Sequence, residues 1–92
     1  MALTGFVDLH CDTIVCEVMK SRGRKRLRCN PAGQLDLMRL KKAGALVQAF
    51  ALFIERAGFE RGYTDEPLTP WQFFLQAADW YERELADNTD LL

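Results

Sequence analysis

The stretch FVDLHCDTIV, Phe6 to Val15, decides how this chain folds. It is apolar enough for a buried strand, yet Asp8, His10 and Asp12 recur at every second position. Side chains alternate across a strand with a period of two. Val7, Leu9 and Cys11 therefore face one way, and Phe6, Asp8, His10 and Asp12 the other. Polar groups are costly to bury without partners, so three on one face suit a strand poorly if its only task is packing. A helix is expected next, from Thr13 to about Lys20. Asp12 or Thr13 can cap it, and Ile14, Val15, Val18 and Met19 form its apolar side.

Working outward, KSRGRKRLR places six basic residues between Lys20 and Arg28, ahead of a turn at Asn30-Pro31-Ala32-Gly33. The expectation is a solvated loop. A nucleic-acid contact would want interleaved aromatics and a basic balance, and both are missing. LDLMRLKKAG reads as a short helix. Leu37, Leu40 and the stem of Lys41 share a side, Lys41 and Lys42 sit in the last turn, and Gly44 is suited to a left-handed cap. ALVQAFALFI, Ala45 to Ile54, is apolar on both faces apart from Gln48, as befits a parallel strand covered on both sides. Residues 55–68 read as a loop. TPWQ then opens a long helix with Thr69 as N-cap, Pro70 in the first turn and Gln72 closing a capping box. Its expected apolar face is Trp71, Phe74, Leu75, Ala78 and Leu85, and it ends near Asp87-Asn88. Strand, helix, short helix, strand, long helix is an α/β order that implies a parallel sheet.

Ninety-two residues suffice for one domain, spanning 1–92. The apolar fraction of 49% is ordinary for a globular chain. The net charge of −1 argues against a dedicated nucleic-acid binder. The charge is uneven: residues 1–46 hold nine Lys/Arg against four Asp/Glu, and residues 47–92 hold three against nine. Cys11, Cys16 and Cys29 form no CxxC pair, which suits reduced thiols rather than a disulfide scaffold. Asp8 and His10 interrupt any leader-like apolar run, and no stretch has the roughly 18–20 apolar residues of a membrane span. The expectation is a soluble, cytoplasmic protein with no membrane or nucleic-acid partner.

The chemistry lies in His10 and Asp12. Two residues apart on a strand, they leave one face about 7 Å apart along it. If the strand ends there, the two can converge on one cation. Imidazole nitrogen with carboxylate oxygen suits zinc or a related divalent metal. Asp8, one step below, can accept a hydrogen bond that orients the histidine. On an α/β barrel, active-site groups stand at the C-terminal ends of strands. Taken alone, the pair also fits a helix-capping Asp12 beside a core His10.

FVDLHCDTI resembles the opening strand of the membrane (renal-type) dipeptidase family of metallopeptidases, especially its soluble bacterial members. LDLMRLKKAGALVQAFALFIE resembles the second βα region of the same family. Residues 5–56 carry the resemblance, and TPWQFFLQAADWYERELADN extends it more loosely. The resemblance implies a TIM-like (β/α)8 barrel with a two-zinc centre. It implies hydrolysis of dipeptides, with tolerance for a C-terminal D or dehydro residue, by a metal-bound hydroxide. By position, His10 and Asp12 would be ligands of one zinc. A bridging glutamate and further histidines come from later strands, for which this chain has no counterpart. His10 is its only histidine, and Glu17, Glu55, Glu60 and Glu66 fall in helices or loops. The expectation is therefore the N-terminal part of such a barrel, two parallel strands with helices. Such a chain would be inactive alone, and a homo-oligomer is among the expectations for the full-length enzyme.

Two other readings compete. Amidohydrolase-type barrels also open on a metal-binding strand, but usually with His-x-His, so His-x-Asp favours the dipeptidase. A small non-enzymatic interaction protein would use Trp71, Phe73, Phe74, Trp80 and Tyr81 as a partner face.

Overall fold

The structure is a computed structural model that describes residues 5–54, 56 and 66–92. Its elements are strand β1 (Phe6–Asp8), helix α1 (Ile14–Met19), helix α2 (Leu37–Ala43), strand β2 (Ala45–Gln48) and helix α3 (Pro70–Asp87). β1 and β2 pair in parallel, with Asp8 opposite Gln48 and an irregularity between Phe6 and Val7. The mixed α/β character and the parallel pair agree with the sequence reading. The loop expected over 55–68 lies largely outside the described residues, as do Glu55 and Glu60. No helix among the described residues is long and apolar enough to cross a membrane.

Both strands are shorter than their apolar runs. β1 stops at Asp8 rather than Asp12, and β2 at Gln48 rather than Ile54. The backbone still runs alongside: Ala49 N–H donates to Asp8 O (2.9 Å) and Ala51 N–H to Cys11 O (2.8 Å). β2 is not covered on both sides, since Leu46 is 70% exposed and Val47 is also exposed. On β1, Phe6 packs on the core while Val7 and, just past the strand, Leu9 face solvent. A parallel sheet is normally buried on both faces, and two strands offer helices too little surface to achieve that.

α1 buries the four residues expected, Ile14, Val15, Val18 and Met19. It is wound as a π-helix, with Lys20 N–H reaching Val15 O and Gly23 N–H reaching Val18 O. Thr13 is already helical and its side chain makes no capping bond, so the expected cap is not formed there. Gly23 closes the helix with φ +79° and lies against the Trp80 ring, where a Cβ would come within 2.8 Å.

α2 is capped at both ends. Asp36 accepts the Arg39 N–H (2.9 Å), and Gly44 takes a left-handed φ of +88°. Leu37 and Leu40 join Ile14, Val18 and Leu27 in one core cluster; Lys41 stays outside. α3 begins as read, with the Thr69–Gln72 capping box complete. Its buried side is different, however. Phe73 and Ala77 pack on Val15 and Met19, Trp80 and Tyr81 touch the core, and Glu84 is buried. Trp71 (65% exposed) and Leu75 face solvent. Apolar residues cover most of the circumference of this helix, so periodicity permits either stripe, and contact with α1 selects one.

The basic stretch is not a free solvated loop throughout. Leu27 is fully buried in the core. Arg26 bonds Glu84 and Asp87, and Arg28 bonds Asn88 and Asp90. These bonds join the positive half of the chain to the negative half.

Candidate metal site

β1 carries the chain to His10 and Asp12 at the C-terminal end of the parallel pair. The bonds from Ala49 and Ala51 hold the backbone of residues 8–11 against the β2 extension. Asp12 O then accepts the Cys16 N–H (2.9 Å), so the segment passes directly into α1. In this frame His10 Nε2 stands 3.2 Å from Asp12 Oδ1, with side chains 66% and 46% exposed. His10 is thus no core histidine. The two candidate ligands converge, as their spacing suggests.

Asp8 is placed differently from its expected role. Its Oδ2 accepts a 2.7 Å hydrogen bond from Gln48 Nε2, its register partner on β2. Asp8 is thus held by Gln48 across the strand pair, while His10 Nε2 faces Asp12 Oδ1. Gln48 Nε2 also donates to Ala49 O (3.1 Å), which fixes the amide and leaves its buried Oε1 without a hydrogen-bond partner. The sequence marks Gln48 only as the polar exception in an apolar run. Its bond to Asp8 follows once the parallel register is known.

His10, Asp12, Cys16, Glu17 and Gln34 line one open depression. Glu17 is engaged by Lys25 Nζ at 3.1 Å, and Cys11, Cys16 and Cys29 form no disulfide. Among the described residues, no group of three or more His, Cys, Asp or Glu side chains is placed to hold a metal ion. The donor chemistry of His10 and Asp12 fits two positions of a zinc site. Two ligands about 2.0–2.1 Å from zinc at the tetrahedral angle stand about 3.3–3.4 Å apart, close to the observed 3.2 Å.

A turn-and-clamp motif positions the far side of the depression. Gly33 N–H closes the Asn30 turn (2.9 Å), and Arg39 ties Asn30 O and Gly33 O to the Asp36 carboxylate. Burial pushes the Asp36 carboxyl up. The Asn30 and Arg39 N–H bonds and the Arg39 guanidinium outweigh it and hold the group below its ordinary value. Comparisons with protein-family models, with curated proteins and with solved structures each yield no match.

Proposed function

We propose that these residues form the opening part of a zinc-dependent dipeptidase built on a TIM-like barrel, with His10 and Asp12 as ligands of one zinc. The observation that carries this reading is the exposed His10–Asp12 pair, converged to 3.2 Å at the C-terminal end of a parallel strand. The resemblance of residues 5–56 to the membrane dipeptidase family supplies the reaction class. A zinc ion, when bound, supplies Lewis acidity for a peptide carbonyl and for water. The residues of this chain have narrower tasks. His10 and Asp12 hold the ion, and the backbone bonds from Ala49 and Ala51 hold their segment. The Asp8–Gln48 bond locks the two strands in register beneath them.

Catalytic zinc usually has three protein ligands, so the 92 residues alone are expected to hydrolyse no dipeptide. The test is the intact mass and metal content of the protein isolated from its source. A mass well above 10.6 kDa with about two zincs supports the reading. A mass of 10.6 kDa with no metal, or steady dipeptide turnover by the 92-residue chain, overturns it.

One observation favours a second reading, a non-enzymatic interaction module. Trp71 is exposed and stacks on Phe74 with ring centroids 5.5 Å apart. The face is smaller than the sequence suggested, because Phe73 is core and Trp80 and Tyr81 pack against it.

A further inference from the structure

We propose that residues 26–39 form a strap tied at both ends, through which the C-terminal end of α3 fixes the far wall of the depression beside His10 and Asp12. The strap is a property of the fold and does not rest on the metal reading. α1 ends at Met19 and α2 begins at Leu37, and residues 20–36 between them contain no helix or strand. Connections longer than about 12–15 residues without secondary structure are uncommon in compact domains, and they are usually functional or disordered. This one is ordered, and most of its fastenings come from outside it.

The first tie is the acidic end of α3. Leu27 is fully buried, and its N–H donates to Glu84 Oε2 (3.2 Å). Arg26 and Arg28, on either side of it, bond Glu84, Asp87 and Asp90. Glu84 is itself buried, and so is Asn88, whose Nδ2 donates to Glu84 O (2.7 Å). This is a buried network and not only a screened surface pair. The second tie is Asp36, which is also buried and accepts the Asn30 and Arg39 N–H groups, each at 2.9 Å. Between the ties the backbone doubles back on itself: Leu27 O accepts the Leu37 N–H (2.9 Å), and Arg28 O accepts the Met38 N–H (3.1 Å).

Buried donors and acceptors are costly to leave unpaired. Lifting Leu27 off Glu84 pulls on the carbonyls that hold the start of α2, and freeing Asn30 from Asp36 pulls on the same backbone from the other side. The two ties therefore open together, as one local unit. Gln34 and Leu35 sit just ahead of Asp36 and line the depression. Lys25, directly before the strap, holds Glu17 on the α1 side of it. In this way α3 sets the shape of a surface to which it contributes no residue.

Amide hydrogen exchange of the full 92-residue chain, followed by NMR, tests the strap. Glu84→Gln and Asp36→Asn are each read at the tie they do not touch. Glu84→Gln is expected to speed exchange of the Asn30 and Arg39 amides by about tenfold, and Asp36→Asn to speed the Leu27 and Asn88 amides by a similar factor. Thr69→Ala, which weakens the opposite end of α3, is expected to leave all four rates unchanged. Acceleration confined to the tie that carries the substitution overturns the proposal, because the ties then open separately. Equal acceleration by Thr69→Ala also overturns it, because these amides then open only with the whole chain. Either strap variant decides the question by itself, so the result stands if the other does not fold.

Discussion

A carboxylate buried on a helix face needs donors, and Glu84 has them. Arg26 Nε lies 2.7 Å from Oε1, and the Leu27 N–H reaches Oε2 at 3.2 Å. The contact raises the Arg26 guanidinium further above its ordinary value, first through the hydrogen bond to Glu84. Removing one partner of a buried pair leaves the other uncompensated. Glu84→Ala, which strands the Leu27 N–H, is expected to cost about 2–3 kcal/mol. Arg26→Ala, which leaves the buried carboxylate with the Leu27 N–H but without its cationic partner, is expected to cost about 2 kcal/mol. The double variant should cost less than the sum by at least about 1 kcal/mol. Urea unfolding of the four proteins measures this, and strict additivity would show that the pair does not interact. Asp36 supplies the pH dependence at this scale. Its carboxyl is held below the ordinary 3.8, so its contribution is fully present above that value. It is lost as pH falls through the lowered folded value. Asp36→Asn should therefore be less stable near neutrality, and it should lose less stability than the parent chain as pH drops below about 4. Parallel acid titrations followed by circular dichroism would contradict this if the two curves kept a constant offset.

At the scale of elements, the start of α3 and the end of α2 were legible, as was the buried face of α1. Thr69, Pro70 and Gln72 mark the start of α3 through local bonds, and Gly44 marks the end of α2 through its left-handed φ. Both signals act within four residues, so no tertiary knowledge is needed to read them. Thr69→Ala is expected to cost about 1 kcal/mol, and Gly44→Ala about 1–2 kcal/mol. Thermal unfolding of each variant checks these values; a gain in stability for Gly44→Ala would contradict the left-handed conformation. The buried stripe of α3 was not legible. Its packing depends on where α1 lies, and Glu84 reads as a surface residue until Arg26 and Leu27 meet it. The strand lengths were hidden for a related reason: an apolar run shows what a strand could bury, whereas pairing sets where it stops. At the candidate site, the spacing of His10 and Asp12 allowed their approach only if the strand ended before them, and β1 does end at Asp8. The partnership of Asp8 with Gln48, 40 residues away, required the register.

At the scale of the whole molecule, the exposed sheet sets the stability. Val7, Leu46 and Val47 stand in solvent on a two-stranded sheet. Independent stability of a sheet usually takes three strands or firm helix packing. A chain of this length would ordinarily have roughly 5–14 kcal/mol of stability. With this much apolar surface uncovered, the metal-free 92-residue chain is expected at the low end of that range, about 5 kcal/mol, with a tendency to associate. The exposed residues themselves provide the sharper test. Leu46→Ser and Val47→Thr should change stability by no more than about 0.5 kcal/mol, as surface substitutions do, while lowering self-association in sedimentation. If further strands and helices cover this face, as in the barrel proposed here, the same changes become core substitutions. They would then cost about 2 kcal/mol or more. Measuring Leu46→Ser in the 92-residue chain and in the protein isolated from its source therefore asks what covers the sheet. Near-neutral effects in both would leave no role for a covering barrel, whereas a cost confined to the larger protein would locate these strands in its interior.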